Sequence, residues 1–574
     1  MTEYGIMNNR IPMDRVEPDE RTRAYLTPKR IVSFTDLPKE RVENAEALLE
    51  NRPFQVSLHD GIPCTLQNRG GTASVLLDFG QEIHGGIALS VQRVTGNDSA
   101  VLRIRFGESV METMSEIGRE GNATNDHAPR DFLQTVQELT MVTAGETGFR
   151  FVKIDLISSD VSVSFHAIKA VLIYRDLKYL GSFSSSDPEL NRIWEVGAYT
   201  VHLNMQQYIW DGIKRDRLVW IGDLHPEIRT IQVVFGDQEL IQKSLDIVVS
   251  ETPEGEWMNG IPSYSMWWII IQHDYFMHSG NREYLEKQLP YMRQLIRMLS
   301  MHIGEDGRDT TPDMRFLDWP TSGDEEGVTL ALQSLHVMAL TSARTIFHLF
   351  GDEATVMQCD EDLAKMRRFP IRCTRSKQAN AIAVLAGLLD PKSVIREENK
   401  KKDAAGISAF TGYYVLIAKA MAGAYEEAMN LIRSYWGGMI KLGATTFWEG
   451  FDLAWMKDGA PIDRIPAEYE IDVHGAYGGY CYKGYRKSLC HGWASGPTAW
   501  LSRYVLGIEI LAPGCEKIRI TPHLGDLSWA KGTFPTPYGI IEVQHRKQAD
   551  GTVSTMVKKP EGVTIVEGGS DGEK

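Results

Sequence analysis

Tyr284-Leu-Glu-Lys-Gln-Leu-Pro-Tyr-Met-Arg-Gln-Leu-Ile-Arg-Met-Leu-Ser300 repeats apolar residues at intervals of three and four. That spacing gathers them on one face of an amphipathic helix. The same period recurs on both sides, near residues 188–207, 238–251, 264–278, 327–350, 352–368, 377–389, 408–422 and 425–436. On the order of ten helices in pairs, joined by loops bearing Trp, Asp and Glu, are expected between about residues 187 and 504. Outside that region the period falls to two. Runs rich in large apolar residues at 75–79, 87–94 and 101–106 are bounded by Gly70-Gly71, Gly85-Gly86 and Gly96-Asn-Asp98, which predicts short strands. Phe151-Val-Lys-Ile-Asp-Leu156 alternates, and strand patterns return at 517–520, 539–543 and 552–557. The chain divides into an N-terminal arm (1–52), a β-sandwich-like domain (53–180), a helical domain (181–506) and a C-terminal β-domain (507–574) whose last residues, 567–574, are expected to fray. Residues 118–131 read as a long loop of the kind that is often functional or mobile.

Length and composition restrict the function. A chain of 574 residues is too long for a single core. A net charge of −15 argues against nucleic acid or an anionic membrane as partner, while leaving room for a local basic pocket. No run approaches the ~18 apolar residues of a membrane span, and the first residues lack the apolar stretch of a signal peptide, so the expected location is cytoplasmic. The six cysteines show no CxxC pair, and neither a metal nor a cofactor is expected. Adjacent Cys490 and His491 are poorly placed to face one another as a nucleophile and its base.

The chemistry concentrates in Asp211-Gly-Ile-Lys-Arg-Asp-Arg-Leu-Val-Trp-Ile-Gly-Asp223, where Asp211, Asp216 and Asp223 alternate with Lys214, Arg215, Arg217 and apolar residues that include Trp220. A carboxyl near buried surface has a raised pKa, which is how a general acid is made; a salt-bridged loop capping a helix would also fit. Downstream, Gly443-Ala-Thr-Thr-Phe-Trp-Glu-Gly-Phe-Asp452 sets Glu449 beside Trp448. Two carboxylates across an aromatic-walled pocket suit glycoside hydrolysis, one protonating the leaving oxygen and the other activating water or attacking the sugar.

Taken together, the Asp211…Asp216-Arg217-Leu218…Asp223 stretch, Gly443-Ala-Thr-Thr-Phe-Trp-Glu449 and Ser488-Leu-Cys-His491 resemble the inverting α-L-rhamnosidases of glycoside hydrolase family 78. Asp78-Phe-Gly-Gln-Glu-Ile-His-Gly-Gly86, 512–523 and 532–539 extend the resemblance, in order, over about residues 75–545. It implies a multidomain α and β protein whose central (α/α)6 barrel is flanked by N-terminal and C-terminal β-sandwich domains. It also implies removal of terminal α-L-rhamnose, with Asp216 as acid and Glu449 as base. Asp211, Arg215, Trp220, Asp223, Asp318, Trp319, Trp448 and His491 would contact the sugar. A small carbohydrate or glycoside is then the expected partner, and a homodimer stays open as the assembly.

One position departs from the family pattern. Asp216 stands where a Glu is usual, and its carboxyl would retreat ~1.5 Å from the glycosidic oxygen. A displacement of that size can cost ~100-fold in rate. Either the backbone compensates, or Asp211 or Asp223 is the acid, or activity is weak. Three rival functions remain: a related hydrolase for another 6-deoxy or uronic sugar, a phosphorylase in which phosphate replaces the base, and a non-catalytic sugar-binding protein.

Overall fold

In this computed structural model the described residues are 17–567, without 58–60, 120, 313, 401–405 and 481. The expected fraying of the last residues falls, from 568 onward, outside them.

A nine-stranded sheet comes first. It comprises β1 (Thr22–Leu26), β2 (Arg30–Phe34), β3 (Glu40–Glu43), β4 (Cys64–Asn68), β5 (Ala73–Thr95), β6 (Ala100–Gly107), β7 (Asp131–Val136), β8 (Thr140–Leu156) and β9 (Val161–Tyr174). The order is β3-β4-β9-β5-β8-β6-β7, with β1 on β9 and β2 on β5, and every pairing is antiparallel. Inward residues of β5 and β8 lie opposite one another, Val75 against Ile154 and Leu77 against Val152, and all four belong to one buried cluster.

Two sequence expectations change here. From Thr22 the segment read as an arm supplies three strands of the sheet. These strands are only four or five residues long, so their period-two signal is weak. The Gly85-Gly86 pair, expected to separate two strands, lies inside the single long β5 at a register shift. A Cβ on Gly85 would come 1.8 Å from the Val171 carbonyl oxygen, and one on Gly86 2.1 Å from that of Gly145. The glycines therefore permit a bulge where two neighbouring backbones close in, rather than a turn.

The helices follow: α1 (Pro188–Asn204), α2 (Ile221–Phe235), α3 (Glu239–Glu251), α4 (Pro262–Ser279), α5 (Arg282–Met301), α6 (Glu325–Leu349), α7 (Glu353–Met366), α8 (Lys377–Leu385), α9 (Pro391–Lys400), α10 (Gly412–Met421), α11 (Tyr425–Lys441) and α12 (Gly496–Trp500). In α5 the face carrying Leu285, Leu289, Met292, Leu295 and Leu299 is buried, Asn281 caps the N-terminus by accepting from the Tyr284 N–H, and Pro290 falls on the exposed side. By contrast α4 is apolar almost all round and buried along most of its length, as expected of a helix inside a larger assembly. Contacts run from α2 to α4, α6, α8, α10 and α12, and from α12 back to α2. α2 was hidden from the periodicity because its first turn coincides with the charged motif.

Ile508–Ile510, Lys517–Ile520 and Thr564–Glu567 form a three-stranded sheet beyond the helices. Trp529–Thr536, Gly539–Lys547 and Val553–Lys558 form a second one, whose fourth, edge strand is Ser182–Ser185 from just before α1. Among the described residues no helix is long and apolar enough to cross a membrane.

Candidate active site

Three loop segments are laced together by hydrogen bonds. Residues 211–218 close on themselves, with the Asp211 Oδ1 accepting from Leu218 N–H at 3.0 Å and the Asp211 N–H donating to the Leu218 carbonyl at 3.1 Å. Gly492 N–H donates to the Asp211 carbonyl (2.8 Å) and His491 N–H to the Phe447 carbonyl (2.9 Å). Glu449 N–H donates to the Ser488 carbonyl, and the Ser488 N–H returns to Glu449 Oε2 at 2.9 Å. Stretches separated by hundreds of residues thus share one backbone frame.

Within that frame Arg215 bridges the two candidate catalytic carboxylates. One terminal nitrogen pairs with Glu449 and the other lies 3.3 Å from Asp216 Oδ1. Because one guanidinium reaches both, those carboxyl oxygens are at most about 8 Å apart. Glu449 is buried and Trp493 donates its indole N–H to the Glu449 carbonyl at 3.0 Å. Asp216 is more open, with 21% of its side chain exposed, and His127 Nε2 approaches it at 3.5 Å. Asp216 and Arg217 are both left-handed, φ 53° and 55°. Two consecutive non-glycine residues in that region cost on the order of 1–3 kcal/mol each, and such strain gathers at sites where neighbours over-determine the geometry. Here the neighbours include the His127 and Glu146 carbonyls, both of which accept from Arg217, and Trp210, whose ring lies under its guanidinium.

The remaining expected residues separate. Asp223 lies in the first turn of α2, where Tyr264 donates to it at 3.1 Å and Trp220 stands edge-on to Tyr264. His491 Nε2 faces Asp211 (3.7 Å) and Asp223 (3.9 Å), and its ring lies 4.2 Å from that of Trp493. Burial, then the charge of Arg215, hold this imidazole well below its ordinary pKa, so it is neutral at pH 7. Asp318 is engaged internally: Thr411, Ser408 and the Thr321 N–H all donate to its carboxyl, tying two loops together. Trp319, half-buried, stacks on Tyr480. Trp448 is 1% exposed and packs edge-on to Phe451, so its ring lies in the core rather than on an open wall.

Sequence reasoning missed His127, Tyr264 and Trp493. His127 lies in the long 118–131 loop, of a kind often functional or mobile, Trp493 follows His491 by two residues, and nothing in the sequence marked Tyr264. It also missed Lys214 as a structural cation. The Lys214 ammonium sits 2.8 Å from Glu108 and 3.2 Å from Glu112, and donates to the Tyr485 and Lys487 carbonyls at 2.7 Å each. Glu108, Glu112 and His474 have a spacing that would suit a metal ion, and the ammonium approaches the two carboxylates of that set. Glu108 also accepts from Leu489 N–H at 2.7 Å, so the N-terminal sheet helps to hold the backbone beside Glu449.

Residues 178–369 match the family described as bacterial alpha-L-rhamnosidase 6 hairpin glycosidase domain, and residues 507–566 match the bacterial alpha-L-rhamnosidase C-terminal domain. Both matched segments thus resemble parts of bacterial alpha-L-rhamnosidases. It is 23% identical over 530 residues to an alpha-L-rhamnosidase of Alteromonas sp. (strain LOR), covering 83% of this chain and 54% of that one. It therefore spans about half the length of that relative. The family 78 rhamnosidase of Bacillus sp. GL1 superposes with a TM-score of 0.72 at 21% identity, over 89% of this chain and 55% of the other. A rhamnosidase from Klebsiella oxytoca, solved with rhamnose bound, gives 0.67 at 19% identity, over 84% and 96%. These likenesses establish a shared fold.

Beneath the site the chain buries a third acid. Glu227, one turn below Asp223, is fully buried, and neither of its carboxyl oxygens has a hydrogen-bond partner. A Cβ on Gly492 would come 2.2 Å from its carboxyl carbon. Burial first, then the charges of Asp223 and Asp211, push its pKa well above 4.5. The folded chain then holds a proton that the unfolded chain has released above pH 4.5, so this group's contribution to stability falls as pH rises toward its folded pKa. Glu227→Gln removes that titration. The melting temperature of the variant relative to wild type should climb between pH 5 and pH 8, and a flat difference would show that Glu227 is not protonated in the folded state.

Proposed function

We propose that this chain is an inverting exo-glycosidase that hydrolyses terminal non-reducing α-L-rhamnose from glycosides or oligosaccharides. The observation that carries the reading is the convergence of Asp216 and Glu449 on one guanidinium, inside a frame that also holds Asp211, Asp223 and His491. Glu449 is the base that activates water and Asp216 the acid that protonates the leaving oxygen. Asp211, Asp223 and neutral His491 offer acceptors and a donor for sugar hydroxyls, with Arg215, Trp220 and Trp319 around them. The substrate is a small carbohydrate, as the rhamnose-bound relative suggests. The closed run of helix contacts supports a central (α/α)6 barrel at 181–506, between β-sandwich domains at 53–180 and 507–574.

A second assignment of the acid rests on protonation. Burial, the charges of Glu449 and Asp216, and only partial relief from Tyr264 push the Asp223 pKa well above 3.8, as a general acid at neutral pH requires. Asp216 remains the better choice on access, because it is the more open of the two. The functional reading is tested by sugar release from a panel of nitrophenyl glycosides: α-L-rhamnoside should be cleaved fastest, and cleavage of none would leave a binding protein.

The stereochemistry of the proposed reaction is tested separately. Inverting pairs stand ~6.5–9.5 Å apart to admit a water, against ~5–5.5 Å for retaining pairs. NMR of the first-formed sugar should show β-L-rhamnose from an α-linked substrate; an initial α-anomer would remove Glu449 as a water-activating base.

A further inference from the structure

A second cavity, of about 1050 Å³, opens toward the other ends of α2 and α4. Its inner wall is built from His225, Arg229 and Asp274, and its rim includes Glu509, Arg519 and His523 from the C-terminal β region. The candidate catalytic residues do not line it. Between the two lies a plug of stacked rings: His225 on Trp267 (4.8 Å), Trp267 on Tyr414 (5.0 Å) and His225 on Tyr414 (5.7 Å). Along α2, Asp223 is on the catalytic side of that plug and Arg229 on the cavity side.

The two sides differ in charge. The catalytic side gathers Asp211, Asp216 and Glu449 near Arg215, with Asp223 beside them and Glu227 beneath. The cavity is lined by four arginines (Arg229, Arg367, Arg503 and Arg519) and two carboxylates, Asp274 and Glu509, in a chain with 61 basic and 76 acidic residues overall. Both carboxylates are already engaged. Asp274 lies 3.1 Å from His273, 3.3 Å from His225 and 3.7 Å from Arg229, and Glu509 lies 3.0 Å from Arg519. Burial would raise the Asp274 pKa, but Arg229, His225 and His273 outweigh it and hold the carboxyl well below its ordinary range, so it stays charged and saturated. Arg503 and Arg367 have no carboxylate partner among the described residues; the Arg503 guanidinium lies over the Tyr504 ring, at 5.2 Å from its centroid. Tyr413, Tyr425 and Tyr504 line the same space.

We propose that this cavity is a binding site for a small anionic carbohydrate, a phosphate or carboxylate head held by Arg503 and Arg229 with its hydroxylated ring against the tyrosines. Arginine forks match both heads bidentately, and a cation facing an enclosed space gains most from a fixed anion. The volume is ample for one sugar ring and its substituent.

Calorimetric titration at constant ionic strength tests this with glucose 1-phosphate, glucuronate, inorganic phosphate and uncharged glucose. At least one of the two anionic sugars should saturate at one per chain while glucose does not, and which of them binds identifies the head group. Arg503→Gln should weaken binding at least ~10-fold, the scale of one lost charge-assisted contact, and Arg503→Lys should weaken it less. Arg367→Gln, just beyond the end of α7 and exposed, gives a second reading should Arg503→Gln not fold. Binding should be unchanged in Glu449→Gln and in excess rhamnose. Absence of saturable binding by either anionic sugar, wild-type affinity in both Arg503→Gln and Arg367→Gln, or competition by rhamnose would overturn the proposal.

Discussion

Glu449→Gln should lower rhamnoside hydrolysis by at least ~100-fold, the lower end of the range for losing general acid–base catalysis. The amide keeps the shape of the carboxylate. It can still accept from Ser488 N–H, and the backbone of residue 449 still pairs with Ser488 and Trp493. The ion pair with Arg215 is lost, but Asp216 remains beside that guanidinium, so the fold should survive. On the proposed reading, what disappears is the proton acceptor for the attacking water. The companion variant Asp216→Asn separates the roles. An acid matters most when the leaving oxygen is a poor leaving group, so this variant should be far more impaired on an alkyl rhamnoside than on the nitrophenyl one, whereas Glu449→Gln should be impaired equally on both. Near-normal turnover in Glu449→Gln would end its assignment as base. A flat leaving-group response in Asp216→Asn, together with a steep one in Asp223→Asn, would move the acid to Asp223.

Lys214→Met should be the most damaging single change to stability. The methionine fills a similar volume but leaves Glu108 and Glu112 buried together without their shared cation, and strips a donor from the Tyr485 and Lys487 carbonyls. Breaking a buried ion pair from one side typically costs ~3–5 kcal/mol. The loss should depend on pH. Glu108 is already pushed up to about 7 by burial, held down in part by Lys214 and raised again by Glu112. Without the lysine its pKa climbs further, so more of the folded-state proton uptake falls inside the neutral range. The deficit should therefore be smaller at pH 5, where Glu108 can be protonated, and larger at pH 8. Denaturant titrations at the two pH values measure it, and equal deficits would show that Glu108 does not change its protonation in this range.

Much of the helical architecture could be read from the sequence because its signal is local. Leu285 to Leu299 announce their helix by spacing alone, and the buried face is the one the spacing picks out. The sheet was less legible where geometry depends on a neighbour. Gly85 and Gly86 read as a break, and only the approach of the Val171 and Gly145 carbonyls explains why they sit inside a continuous strand. The site shows the same division. Asp211, Asp216, Asp223, Glu449 and His491 stood out as residues, and the structure brings them into one frame. The contact of His127 with Asp216 crosses from one domain-sized unit to another, and no spacing rule reaches that far. Asp318 and Trp448 illustrate the converse: residue type suggested contact with sugar, while burial and existing partners occupy them inside the protein.

The bond from Leu489 N–H to Glu108 spans 381 positions of sequence. On a ribosome adding ~5–20 residues per second, Glu108 emerges on the order of 20–80 s before its partner exists. Over the later part of that interval the early sheet carries an acid pair whose lysine has arrived but whose closing loop has not. Assembly of the pocket must therefore be one of the last events in the birth of the molecule, and a nascent chain halted before residue 489 should hold a formed sheet beside an unfinished catalytic loop.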